Sequence, residues 1–254
     1  MPHRPPLFPS PLRATPEGVV AVGGRPDPGT LEAAYRRGIF PWPHEGMPLL
    51  WFCPDPRFVL EPARMHLSRS LKKELRHGRF EVRADTAFSA VIRSCARKVR
   101  PEQGGGTWIT PAMISGYTAL HERGIAHSIE AWQGGHLVGG LYGVSLGAVF
   151  FGESMFADVS NASKVCLATL AANLSAWGFR LLDCQQTTEH LATFGAAEWP
   201  RARFLDALKR ALDVPTRIGP WTLDLGPAEA AELRRAAPRG ERRSGDREPA
   251  GLLV

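Results

Sequence analysis

The chain of 254 residues is 44% hydrophobic and 22% charged, which allows a substantial buried core built as one large domain or two modest ones. Its net charge of +6 favours polyanionic partners without naming one, and the six arginines and five acids from Ala228 onward leave most of that excess on the preceding residues. No apolar run reaches the roughly 20 residues of a membrane span, and the proline-dense start lacks the apolar core of a secretory signal, so a cytosolic protein is expected.

Pro28-Gly29-Thr30 opens a short helix through Tyr35 that Gly38 can close, followed by Ile39-Phe40-Pro41-Trp42 as an exposed aromatic loop. Strands are expected over 49–53 and 57–60, on either side of Pro54-Asp55-Pro56, and Glu61-Pro62 marks a module boundary. Beyond it a helix runs over 68–77, a strand over 80–83, and a helix capped by Asp85 reaches Arg97. Thr110-Pro111 starts another helix that Gly124 stops. Strands over 125–132 and 136–144 flank the hairpin turn Gln133-Gly134-Gly135, and a further strand over 148–151 follows a second glycine turn. A helix over 161–177, a strand over 179–184 and a helix over 201–212 complete the order. The arginine-rich stretch from Ala228 lacks the apolar content to order itself. The expected division is a small N-terminal α/β domain over 1–62, an α+β domain over 63–227 and an unordered tail over 228–254. Cys53, Cys95, Cys166 and Cys184 lack metal-ligand or pairing spacing and read as free thiols.

Asp183 and Gln185 stand two apart at the end of a predicted strand, an alternation that sends both side chains to one face and Cys184 to the other. By spacing alone Asp183 serves equally as a helix cap or an arginine's partner. Glu153 alternates with Phe151 and Met155 on a strand, where a lone acid is commonly a structural ion-pair partner. Leu167, Leu170 and Leu174 fall on one helical stripe and, with Leu141, Phe150, Met155 and Leu182, form either core or an apolar pocket. Gly143-Val144-Ser145-Leu146-Gly147 matches the G-x-S-x-G elbow of hydrolases, with Asp183 and His190 following in triad order, but strand-like residues follow the serine where a helix is required.

Ordered segments carry a resemblance: AYRRGIFPW (34–42), PDPR (54–57), GTWIT (106–110), HSIE (127–130), GGLYGV (139–144), FGESMF (151–156), NASK (161–164) and DCQ (183–185). Together they resemble the bacterial leucyl/phenylalanyl-tRNA–protein transferase family. The resemblance implies a small N-terminal domain joined to an acetyltransferase-like (GNAT) domain, with a mixed, largely antiparallel sheet flanked by helices. It also implies transfer of Leu or Phe, and in some cases Met, from aminoacyl-tRNA to proteins with N-terminal Arg or Lys, marking them for N-degron degradation. Asp183, Gln185 and Glu153 would then be catalytic: Asp183 and Gln185 would position and activate the acceptor amine, with a carboxylate taking its proton, and Glu153 would pair with the cationic acceptor. Trp42, Trp108 and Tyr117 would meet the terminal adenosine of the tRNA, where stacking contributes roughly 1 to 3 kcal/mol per base. The leucine set, with Phe150 and Met155, would hold the donor side chain. The ester bond of the donor supplies the driving force, so no cofactor, ATP or metal is expected. The R/Q-x-x-G-x-G/A loop of acetyl-CoA enzymes is missing; Gln103 to Gly106 comes nearest but continues to Trp108.

Overall fold

A computed structural model describes residues 8–98 and 107–232. The proline-rich start up to residue 7, Gln103 to Gly106, and most of the tail read as unordered lie outside the described residues.

The first structured segment is a three-stranded antiparallel sheet in the order β1 (Val19–Val22), β3 (Leu50–Phe52), β2 (Phe40–Trp42). Helix α1 (Pro28–Tyr35) precedes β2, and its first turn is held by the Asp27 carboxylate, which accepts from the Thr30 backbone N–H at 3.0 Å. The Ile39–Trp42 stretch, expected as an exposed loop, is instead a buried strand start. Ile39 and Phe40 are buried, and Phe40 faces Phe52 across the β2–β3 pair. An aromatic run has more to gain from burial than from forming a loop.

The larger sheet has seven strands in the order β10 (Ala197–Trp199), β4 (Arg57–Leu60), β9 (Leu181–Gln185), β8 (Val149–Ala157), β7 (His136–Leu146), β6 (Ala126–Gln133), β5 (Glu81–Ala84). Every pair is antiparallel except β8 with β9. A parallel neighbour needs a crossover, and α5 (Ala162–Ala176) supplies it. The single turn α6 (Glu189–Ala192) joins β9 to β10. The fold is therefore α+β, with a mixed sheet flanked by helices. β4 lies inside the 1–62 segment set apart in the sequence, yet it pairs within this sheet, between β9 and β10.

One core joins α1, α3 (Phe88–Arg97), α4 (Pro111–Glu122) and α7 (Arg201–Leu212) to sheet residues such as Val59, Tyr142, Val144 and Phe151. The other joins α2 (Arg69–His77), α5 and α8 (Pro227–Ala230) to Leu60, Ile129, Leu141, Phe150 and Leu182. Ala230 and Ala231 are fully buried there, so the chain stays packed past residue 228, where the tail was expected to begin. Small side chains allow this close approach although the stretch looks polar in sequence.

Most capping expectations match the structure: Ser68 and Thr110 accept from the Leu71 and Met113 backbones, and the glycine turn at 134–135 has positive φ at both residues. Asp85 does not cap α3. Its carboxylate instead accepts from His127 Nδ1 at 2.8 Å, from the Ser128 backbone at 2.9 Å and from the Trp221 backbone at 2.7 Å. The N–H groups ahead of α3, at Thr86 and Ala87, go to the buried Glu130 carboxylate. A long-range acid thus satisfies the helix start that a local one was expected to hold. No described helix is long and apolar enough to cross a membrane.

Candidate active site

Two strand irregularities next to each other create the site. The parallel β8–β9 pairing runs Val149 with Leu181, Phe150 with Leu182 and Phe151 with Asp183, and the strands pair no further. In β8 the register against β7 jumps from Tyr142–Ser154 to Gly143–Gly152, so Glu153 is an extra, unpaired residue. In β9 the register against β4 jumps from Val59–Asp183 to Phe58–Gln185, so Cys184 is extra. Such bulges re-aim side chains that a regular strand would alternate. A Cβ on Gly143 would lie 2.2 Å from the Phe151 carbonyl oxygen, so only glycine fits opposite the β8 bulge.

A cavity of about 780 Å³ opens where the two strands part, lined from both faces of the sheet. Phe40, Trp42 and Trp108 come from one side; Leu167 and Leu170 of α5 come from the other, with Leu141, Phe150, Met155 and Leu182 between them. Glu153, Gln185 and Cys184 lie where β8 and β9 diverge, and Gln186 to Leu191 complete the wall.

Glu153 is reached from the cavity but enclosed by protein on its other sides. Its Oε1 accepts from the Tyr35 hydroxyl at 2.7 Å and from Gln185 Nε2 at 2.7 Å, and its Oε2 accepts from the Tyr117 hydroxyl at 2.8 Å. Burial pushes its carboxyl up to about 7; the hydrogen bonds from Tyr35, Tyr117 and Gln185 oppose this, and the charge of Asp183 adds to it. Burial, and then the Glu153 charge, raise both tyrosines well above their ordinary range, so they remain donors. A carboxylate that titrates near neutrality can exchange a proton with an amine.

Asp183 is not on the cavity wall. It is fully buried and paired with Arg57, Nε to Oδ1 at 2.8 Å and Nη2 to Oδ2 at 2.5 Å. Beyond it Gln185 adopts φ of 64°, just after the bulge. That turn brings Gln185 and Cys184 to the cavity wall, while Asp183, beside Phe151 and Val59 in the register, stays buried just off it. Of the two readings open from spacing, the arginine partner is the one present. Asp183 still touches the site: its Oδ1 accepts from the Gln185 backbone N–H at 3.0 Å. Burial alone would depress the Arg57 guanidinium, but the Asp183 charge and hydrogen bonds more than offset this and raise it.

Tyr117 is also relocated. It is fully buried and lies outside the cavity lining, so it presents no ring face to a base. The helix begun at Pro111 turns Met113, Tyr117 and Leu120 inward. Leu174 is fully buried away from the cavity, while its stripe-mates Leu167 and Leu170 line it, because α5 passes the opening for only its first turns. Trp42 and Trp108 are half-buried on the wall. Ser145 is fully buried within β7 and followed by β8, so there is no strand-to-helix elbow. Sequence reasoning missed Tyr35, although it lies in the AYRRGIFPW segment, and Arg57, the last residue of PDPR. A polar ring and a cation inside otherwise apolar segments were the available signals.

The chain is similar to proteins of one kind along most of its length. A family model described as "Leucyl/phenylalanyl-tRNA protein transferase" matches residues 59–209, and one described as the N-terminal domain of the same protein matches residues 24–55. A protein of Myxococcus xanthus (strain DK1622) named leucyl/phenylalanyl-tRNA–protein transferase is 60% identical over 220 residues, 87% of this chain and 94% of that one. Proteins of the same name from Anaeromyxobacter sp. (strain Fw109-5) and Nitratidesulfovibrio vulgaris (strain DP4) are 57% and 53% identical, covering 86% and 85% of this chain and 93% and 92% of theirs.

Proposed function

Because the chain belongs to the leucyl/phenylalanyl-tRNA–protein transferase family, we propose that it moves Leu or Phe, with Met as a further donor, from aminoacyl-tRNA to the N-terminal Arg or Lys of acceptor proteins and so marks them for N-degron degradation. The observation that carries this reading is a single cavity that joins half-buried indoles, an apolar pocket and a carboxylate shifted toward neutrality.

The terminal adenosine stacks on Trp42 and Trp108. The donor side chain enters the pocket of Leu141, Phe150, Met155, Leu167, Leu170 and Leu182, which places the ester carbonyl near Glu153 and Gln185. The acceptor amine loses a proton to Glu153 and attacks that carbonyl carbon. The tetrahedral intermediate then collapses, the ribose oxygen leaves, and Glu153 returns a proton to it. An ester is exchanged for an amide, which proceeds downhill without ATP. Gln185 is the amide donor that orients Glu153, and Asp183 acts behind it.

Glu153 and Glu189 are the carboxylates of the cavity wall, which among the described residues bears no Lys or Arg, a charge balance suited to an acceptor with a cationic side chain. The outer face of α2, with Arg69, Lys72 and Lys73, leads back through His66, whose backbone N–H donates to the Phe194 carbonyl beyond the cavity wall. That face supports phosphate contacts with the tRNA. The order of the large sheet, with one parallel pair that parts after three residue pairs, supports the acetyltransferase-like reading of the fold. The separate three-stranded sheet of β1 to β3 supports a small N-terminal unit ahead of the catalytic one, with β4, inside the expected 1–62 segment, pairing in the larger sheet.

The test mixes purified protein, labelled Leu-tRNA and peptides beginning with Arg or Asp. Label should pass to the Arg peptide and not the Asp peptide, and Glu153→Gln should slow the transfer by about 10² to 10⁴. Donor binding without any transfer would leave only a tRNA-binding module.

A further inference from the structure

The geometry points to Arg57 as a positioning residue for the transfer: through Asp183 it fixes the backbone of Gln185, and so the direction in which the Gln185 amide meets Glu153. The inference rests on the reading of Glu153 and Gln185 as the groups that face the substrates.

A continuous chain of contacts carries it. The Arg57 guanidinium lies between two rings, 4.8 Å from the Phe40 centroid and 4.5 Å from that of Phe204. Sandwiched in this way, it has little freedom to rotate. Its fork grips both Asp183 oxygens, and Asp183 Oδ1 in turn receives the Gln185 backbone N–H at 3.0 Å. That N–H belongs to a residue at φ of 64°, a conformation uncommon for a side chain other than Gly, Asn or Asp and retained only where the surroundings enforce it. From there the Gln185 side chain reaches Glu153 Oε1 at 2.7 Å.

A buried pair that served only stability could be replaced by apolar residues of similar volume with little loss. This pair differs because one carboxylate oxygen also holds the bulge. The groups facing Glu153 are Tyr35 from α1, Tyr117 from α4, and Gln185 and Asp183 from β9, with Tyr142 of β7 beside it on the cavity wall. Arg57 from β4 lies behind Asp183 and moderates its charge.

The experiment uses the full chain and three variants: Arg57→Lys, the apolar replacement Arg57→Met with Asp183→Leu, and Asp183→Asn. Each is assayed for kcat and for KM of Leu-tRNA and of the Arg peptide, well below its own unfolding midpoint. For the apolar replacement, kcat should fall at least about tenfold with both KM values held within about threefold, even where the unfolding midpoint is unchanged. Arg57→Lys keeps the charge but not the fork, and should fall between it and wild type. Asp183→Asn keeps an acceptor for the Gln185 backbone and should retain more turnover than the apolar pair. If one variant does not fold, the same ordering is read from the other two. Wild-type kcat in any folded Arg57 variant, with Glu153→Gln slowed, overturns this inference alone. Wild-type turnover in Glu153→Gln overturns the reading of the site.

Discussion

Two carboxylates stand on adjacent strands of one sheet, and their surroundings could hardly differ more. Asp183 is closed off from solvent and matched by a guanidinium fork, while Glu153 is open to a cavity and held by neutral donors. A buried acid with a full countercharge is a structural fixture; one held by tyrosines and an amide can change its protonation state. The difference teaches that two acids near one site can be given different protonation behaviour by the kind of partner each has.

The widest separation between the two should come from removing what each acid depends on. Glu153→Gln is expected to lower kcat by about 10² to 10⁴ with the unfolding midpoint little changed, measured by single-turnover transfer and thermal denaturation. Truncating the partner of Asp183, in Arg57→Met, should instead destabilise the fold by about 3 to 5 kcal/mol, because a charge is left buried alone; urea unfolding measures this. If the two variants showed the same profile, the contrast would fail.

A pH series sharpens the comparison. Glu153 has its folded value raised to about 7, so turnover should rise as pH climbs through that value and the carboxylate form fills. Stability carries the opposite sign. Folding favours the protonated acid, so the contribution is full below the ordinary carboxylate range and declines as pH rises through about 7. Both dependences should flatten in Glu153→Gln, and an unaltered rate profile in that variant would assign the titration to another group.

Smaller effects separate lining from core within single elements. Trp108→Ala should raise the donor KM in line with a stacking loss of about 1 to 3 kcal/mol and leave the peptide KM unchanged. Leu174→Ala should destabilise by about 2 to 5 kcal/mol without altering the ratio of Leu to Phe transfer. Leu170→Ala, one turn away on the wall, should change that ratio.

The sequence was most informative where structure is local. Thr110-Pro111 and Gly124 bound α4 because capping and positive φ depend on adjacent atoms. The pocket leucines were found because helical spacing brings them together, though spacing could not tell that α5 leaves the opening before Leu174. Strand alternation pointed to Glu153 and Gln185, which the structure brings together at the cavity, but could not tell that Asp183 is enclosed by Arg57 just off its wall. A bulge is a matter of register between distant strands, and nothing in DCQ itself announces one. Tyr117 was misplaced for a related reason: the wall it faces is built by Tyr35, 82 residues earlier in the chain.

That separation has a consequence for biosynthesis. The Glu153 carboxylate draws one tyrosine from 118 residues upstream, and the Arg57–Asp183 pair spans 126 residues. A polypeptide still emerging from the ribosome therefore holds its aromatic wall and its first tyrosine long before β9 exists to complete the centre. The centre is complete only once translation has passed Gln185.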